Sequence, residues 1–140
     1  MSIQMRVDRL LARMHEQPQY PTQGAVLLVD LERRETRRAY LPLEVLRTFL
    51  GGRGANMFLL YNLLQDGKEA LDPEVPLIFG VGPLTGGVCG GTRANATSLS
   101  PDSHALLDAS AGDYFPVWLK RHGYDHLVLY GRAPEWTVLE

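Results

Sequence analysis

Pro76-Leu77-Ile78-Phe79-Gly80-Val81-Gly82-Pro83-Leu84-Thr85-Gly86-Gly87-Val88-Cys89-Gly90-Gly91-Thr92-Arg93 is an apolar run that empties into glycines. Pro76 to Phe79 reads as the end of a strand. The glycines after it lack a Cβ, so their N–H groups can approach a bulky anion and the chain can take positive φ. Arg93 closes the stretch with a planar, permanently charged fork that suits phosphate. The same composition also describes a plain surface loop that needs turns. Between these readings the neighbouring segments decide.

Upstream, Ala25 to Val29 is a β-rich apolar strand, Asp30 to Glu35 a turn, and Thr36 to Tyr40 a solvated return strand, which together make a hairpin. Arg33, Arg34, Arg37 and Arg38 are interleaved with Glu32 and Glu35, so they read as a solvated surface and no nucleic-acid partner is expected. Pro42 opens a helix carrying Leu43, Val45, Leu46, Phe49 and Leu50. Gly51-Gly52-Arg53-Gly54 interrupts it, a second helix runs from Ala55 to Leu64, and Gly67 is its expected C-cap. A helix entered through glycines with an arginine is an anion site in waiting, or simply a helix–helix turn. Further upstream, Met5 to His15 spaces Val7, Leu10, Leu11 and Met14 as one helical face, and Gln17 to Pro21 reads as a linker. Too short to stand alone, that helix must dock on this domain or on a partner.

Downstream, Asn95 to Leu99 is a weak strand and Ser100 to Ser103 a turn. Ala105 to Gly112 leads into a helix from Asp113 that ends at Lys120-Arg121-His122-Gly123. His126 to Tyr130 is a strand, and Trp136 to Leu139 is expected to start a last one. His122 and His126 are four apart, but Gly123-Tyr124-Asp125 between them argues for a turn rather than a metal-binding helix, so no metal ligands are assigned.

The chain has 140 residues, 45% hydrophobic and 21% charged, with net charge −2, which suits one soluble domain and gives no bulk pull toward nucleic acid. No apolar run approaches a membrane span, and the first residues lack the apolar core of a secretory signal, so the cytoplasm is the expected address. The single cysteine, Cys89, excludes an internal disulfide and an iron–sulfur cluster held by this chain. Cys89 is either a small loop residue or a nucleophile; Asp102, Asp108 and Asp113 are either near a site or in solvated turns and caps. No spacing defines a catalytic set, and none is assigned.

Gly51-Gly52-Arg53-Gly54, Leu71-Asp72-Pro73, Pro76 to Phe79, Gly82-Pro83-Leu84-Thr85-Gly86, Gly112-Asp113-Tyr114-Phe115, Leu119-Lys120 and Gly123-Tyr124-Asp125 occur in an ordered series. From about Gly24 onward this series resembles the N-terminal region of the tungsten-dependent aldehyde:ferredoxin oxidoreductase family. The resemblance implies an α+β fold, a β-rich sheet domain with two to three helices, equivalent to one of two β–α–β repeats in the family's base domain. It divides the chain into an N-terminal helix and linker, residues 1–22, and the family-like domain, residues 23–140. It implies a bis-pterin cofactor holding tungsten or molybdenum (tungstopterin or molybdopterin), an aldehyde oxidised to an acid, and electrons passed to ferredoxin. The residues it points to as cofactor contacts are Arg53, Gly82, Thr85, Gly86, Gly87, Gly91, Arg93, Ser110, Ala111 and Gly112.

This chain departs from the family in several places. Ser110 stands where the family commonly has asparagine, Thr92 separates the glycines from Arg93 in a slightly shorter loop, and Asp113 and Pro116 replace residues that are usually small. The family's cluster cysteines lie beyond anything present here. Three expectations follow. The chain is a small subunit or N-terminal segment beside a larger oxidoreductase subunit that carries the cluster cysteines; or it is a stand-alone homodimeric binding or scaffold module; or it is a truncated product. In the first two, an exposed edge after Leu139 seeks a partner.

Overall fold

The computed structural model describes residues 1–19 and 23–139. Of the expected linker, Tyr20 and Pro21 lie outside the described residues, as does Thr22 at the expected domain boundary. The elements run α1 (Ile3–Leu11), β1 (Ala25–Asp30), β2 (Glu35–Tyr40), α2 (Leu43–Phe49), α3 (Gly52–Leu63), β3 (Leu77–Val81), β4 (Ala94–Leu99), β5 (Leu106–Ala111), α4 (Tyr114–Arg121) and β6 (His126–Tyr130). The strands form one mixed sheet in the order β2-β1-β6-β3-β4-β5. Only β1 and β6 are parallel neighbours; the other pairs are antiparallel. This is the expected α+β architecture, with three helices after residue 23.

The register sorts side chains onto two faces. Val26, His126, Gly80, Asn95 and Ser110 share one row across the sheet, and Leu28, Val128, Ile78, Thr97 and Asp108 the next. Onto this face pack Ile3, Val7 and Leu10 of α1, Val45 and Leu46 of α2, and Ala55, Leu59, Leu60 and Leu63 of α3, closing a single core. The docking partner of the N-terminal helix is therefore this domain. Arg6, 3% exposed, fastens it. Its guanidinium donates to the Leu63 carbonyl (2.6 Å) and to Gln65 Oε1 (2.7 Å), which answers two acceptors near the C-terminal end of α3, and it pairs with Glu74. The opposite face carries Leu27, Leu127, Phe79, Leu129, Leu77 and Leu107, and α4 crosses it with Phe115 edge-on to Phe79.

Four local expectations are corrected. The first helix begins at Ile3, capped by Ser2 Oγ, and ends at Leu11 rather than His15. His15 instead exchanges both backbone hydrogen bonds with Tyr40 (2.9 Å each), which pulls it out of the helix. Gly67 is not the cap of α3, which ends at Leu63 with an extended Leu64. Gly51 to Gly54 does not separate two helices as a free turn, since α3 already starts at Gly52. Trp136 to Leu139 is not a strand: the segment joins no ladder of the sheet, so the edge expected after Leu139 does not form. The sheet's edges are β2 and β5.

Candidate functional site

Every residue singled out above as a cofactor contact lies at one end of the sheet. β3 ends there at Val81, β4 begins at Ala94 and β5 ends at Ala111, three residues paired side by side. The first turn of α3 arrives at the same place because glycine lets it. Gly51 sits at φ +118°, a conformation closed to other residues. A Cβ built on Gly51 would lie 3.6 Å from the Val81 carbonyl oxygen, and one on Gly52 3.8 Å from Gly82. The start of α3 thus rests backbone to backbone on the start of the glycine loop.

The loop from Gly82 to Thr92 is wound on itself. Thr85 N–H donates to Gly82 O, Gly86 N–H to Gly91 O, Gly87 N–H to Leu84 O and Gly91 N–H to Val88 O. Thr92 N–H donates to Gly90 O as well, so five N–H groups of the loop, three of them on glycines, are engaged within it. Thr85 is buried, Gly86 and Gly87 are exposed, and Gly86 lies against Val117 of α4. Gly112, at the end of β5, faces the Thr92 carbonyl. Arg93 is exposed and has no hydrogen bond or ion pair with the described residues. These contacts bring the glycine loop, Gly51-Gly52 and Gly112 together.

Arg53 and Ser110 belong to a second cluster joined to the first. Arg53 Nε lies 2.6 Å from Asp108 Oδ2. Asp108 Oδ1 accepts from Asn95 Nδ2 at 2.9 Å, and the same amide reaches Ser110 Oγ at 3.1 Å. So α3, β4 and β5 are tied by a polar chain whose middle members, Asp108 and Asn95, sequence reasoning left open or unassigned. Alternation was the available signal: in register with Ser110 and Asp108, Asn95 and Thr97 put polar side chains on the helix-facing side of a strand.

Beneath this cluster lies a buried polar pair that no sequence motif announced. Asn56, in the apolar face of α3, donates from Nδ2 to Thr97 Oγ1 (3.1 Å) and to the Asn95 carbonyl (3.1 Å). Its Oδ1 lies 2.8 Å from His126 Nδ1. Because Asn56 spends its N–H groups on those oxygens, its own oxygen accepts and His126 Nδ1 carries the proton. His126 is fully buried, and its Nε2 has no hydrogen-bond partner. Burial lowers its pKa to about 4, with Lys120 adding to the effect and Asp125 opposing it. It is neutral at pH 7. Asp125 is itself held by Lys120 and accepts the Ala25 N–H, joining α4 to the β1–β6 pair.

One backbone residue at the site is strained. Asp113, which precedes α4, sits at φ +82°, ψ −149°, a region that glycine occupies almost alone, and its side chain makes no capping hydrogen bond. Asp113→Gly is expected to stabilise the fold by about 1 kcal/mol, the relieved strain less the entropy glycine adds to the unfolded chain. Urea denaturation of the two proteins checks this, and an equal or lower midpoint for the glycine variant refutes it. Among the described residues there is no group of three or more His, Cys, Asp or Glu side chains able to hold a metal ion, and no helix long and apolar enough to cross a membrane.

Residues 26–140 match the family described as aldehyde ferredoxin oxidoreductase, N-terminal domain. The chain is 33% identical over 117 residues to the aliphatic sulfonate oxidoreductase, WOR-like subunit, of Pyrococcus furiosus, covering 81% of this chain and 19% of that protein. It is likewise 33% identical over 115 residues to a tungsten-containing aldehyde ferredoxin oxidoreductase of Thermococcus kodakarensis, with the same coverages. Among solved structures, the active site complex BamBC of benzoyl coenzyme A reductase matches with TM-score 0.77 and 31% identity, over 80% of this chain and 17% of that one. The chain spans about a fifth of the length of the relatives it matches.

Proposed function

This chain belongs to the aldehyde ferredoxin oxidoreductase N-terminal domain family, and from that premise we propose that it forms one wall of a pterin cofactor site in a larger tungsten or molybdenum oxidoreductase. It corresponds to the N-terminal part of such enzymes. In this reading residues 23–140 are the family unit and residues 1–22 an added helix and linker, the assembly is cytoplasmic, and the iron–sulfur cysteines sit on the larger partner. When bound, the cofactor supplies the two-electron chemistry of aldehyde oxidation, with electrons leaving toward ferredoxin.

The observation that carries the reading is the convergence of Arg53, the Gly82–Arg93 loop and Ser110–Gly112 at one end of the sheet, around backbone stripped of Cβ atoms. The residues fit a phosphate-bearing ligand through Arg93, whose guanidinium is exposed and has no partner among the described residues, and through the exposed Gly86 and Gly87 of the same loop. In this reading Thr85, Gly86, Gly87 and Gly91, held by the loop's own hydrogen bonds, shape the site, while Arg93 neutralises the anion and Arg53, anchored by Asp108, flanks it. No residue of this chain is placed in the chemical step.

The first experiment is the native mass and metal content of the assembly that contains this chain in its own host. A complex several times heavier than 15.6 kDa, holding tungsten or molybdenum, supports the proposal; a metal-free homodimer overturns it. In that complex Arg93→Ala is expected to lower metal and pterin occupancy by about ten-fold or more, the loss of one charge-assisted hydrogen-bonded pair. Elemental analysis of the purified variant reads this, and full occupancy would remove Arg93 from the site.

A further inference from the structure

The sheet's two edges are built differently. β2 is guarded: it carries Glu35, Arg37 and Arg38, and at Tyr40 its backbone is already paired with His15. Charges of this kind on an edge discourage further pairing. β5 reads Leu106-Leu107-Asp108-Ala109-Ser110-Ala111, with no lysine, arginine or proline, and nearly all of it is exposed. Its one charge, Asp108, is drawn inward to Arg53 and Asn95.

Beside this open edge lies an apolar groove of about 480 Å³. Phe49, Met57, Phe58, Tyr61 and Leu64 form its helical wall, and Leu106 of β5 its floor. α3 lies over β3 and β4, and its outer flank looks past β5. A strand added to β5 would run about 4.8 Å farther out, and every second side chain would point to the helical side, beneath that flank. A bare backbone edge and an adjoining apolar groove together describe a socket for one strand.

A second copy of β5 does not suit the socket. Residues facing each other across an antiparallel pair must share a face, and the helix-side residues of β5 are Leu106, Asp108 and Ser110. A two-fold axis at Asp108 sets two carboxylates against each other and puts Ser110 opposite Leu106. An axis at Ala109 puts Gly112 there. Neither fills an apolar groove. Nor does this chain hold a spare strand among the described residues, since Trp136–Leu139 forms none.

We propose that β5 is the docking edge for an extended strand of the larger part of the oxidoreductase, one that presents apolar side chains at alternate positions to the Met57–Tyr61 flank of α3. This rests on the reading that the chain works within such an enzyme, as its span of about a fifth of its relatives implies. The strand would extend the sheet next to Ser110 and Asp108, so assembly and completion of the site would be one event.

The test is hydrogen–deuterium exchange on the native assembly, with β2 as the internal reference edge. Amides of β5 are expected to exchange at least about ten-fold more slowly than those of β2. Tyr61, 86% exposed, can be changed without disturbing the core. Tyr61→Lys is expected to weaken the assembly by about ten-fold or more, with the chain's own melting unchanged, whereas Tyr114→Lys on α4 leaves it intact. Equal exchange at the two edges, an unaltered assembly in Tyr61→Lys, or a homodimer joined through β5 would each overturn the proposal. A protected β5 in an assembly without tungsten or molybdenum would leave this inference standing and sink only the cofactor reading.

Discussion

Gly80→Ala is expected to destabilise the fold by about 4 kcal/mol, the largest effect of any single added methyl group in this chain. Gly80 lies in the middle of β3, where glycine ordinarily weakens a strand. Its φ is unremarkable, so the requirement is steric rather than conformational. A Cβ there would stand 2.6 Å from His126 Nδ1 and closer still to Asn56 Oδ1. Those atoms cannot retreat. His126 is fully enclosed, and Asn56 is fixed by Thr97 and the Asn95 carbonyl. The alanine therefore either strains β3 or breaks the Asn56–His126 hydrogen bond in a place without water. Both carry a penalty of a few kcal/mol. Urea denaturation measures the loss. A companion variant makes the cause testable: in Asn56→Ala the Oδ1 is gone, so adding Gly80→Ala should cost clearly less than it does alone. If the two penalties simply add, the crowding argument is wrong.

The hairpin of β1 and β2, the strand β6 and the helix α4 are legible from sequence because each satisfies one period with punctuation at both ends: Val26 and Leu28 in an apolar run, Gly123 closing α4. The gathering of the glycine loop, Arg53 and Ser110–Gly112 follows from the family resemblance rather than from any local pattern. What escaped sequence reasoning depends on neighbours distant in the chain. Asn56 and His126 are 70 residues apart, and nothing local marks either as buried and paired. Leu106 to Ala111 has neither apolar alternation nor β-branched residues, and it is a strand because β4 offers it an edge. Trp136 to Leu139 has the apolar residues of a strand and pairs with none of the six strands. In each case tertiary pairing overrides propensity.

Lowering the pH from 7 to 4 is expected to remove about 3 kcal/mol of stability through His126 alone. The sign follows from the direction of the shift. In the unfolded chain the imidazole takes up a proton near pH 6.5; in the native core burial holds it back to about 4. Between those values the unfolded state binds the proton and the folded state does not, so stability is complete above about 6.5 and falls as pH drops toward 4. The structural cause is on Nε2, the one ring nitrogen without a partner. Protonating it would bury a charge and an unanswered N–H, with Asp125 close enough to soften the penalty and Lys120 to deepen it. The carboxylates held low, Asp72 by the Glu74 N–H and Glu74 by Lys68, add their own losses only below their ordinary values of 3.8 and 4.5, largely beneath this window. Urea midpoints at pH 7, 5.5 and 4.5 measure the slope, and His126→Gln isolates it. The glutamine variant starts lower at pH 7, because it packs less well beside Asn56, but its stability should be nearly level across the window. A variant that declines in parallel with the parent would place the pH sensitivity elsewhere and would mean that Nε2 finds a partner in solution.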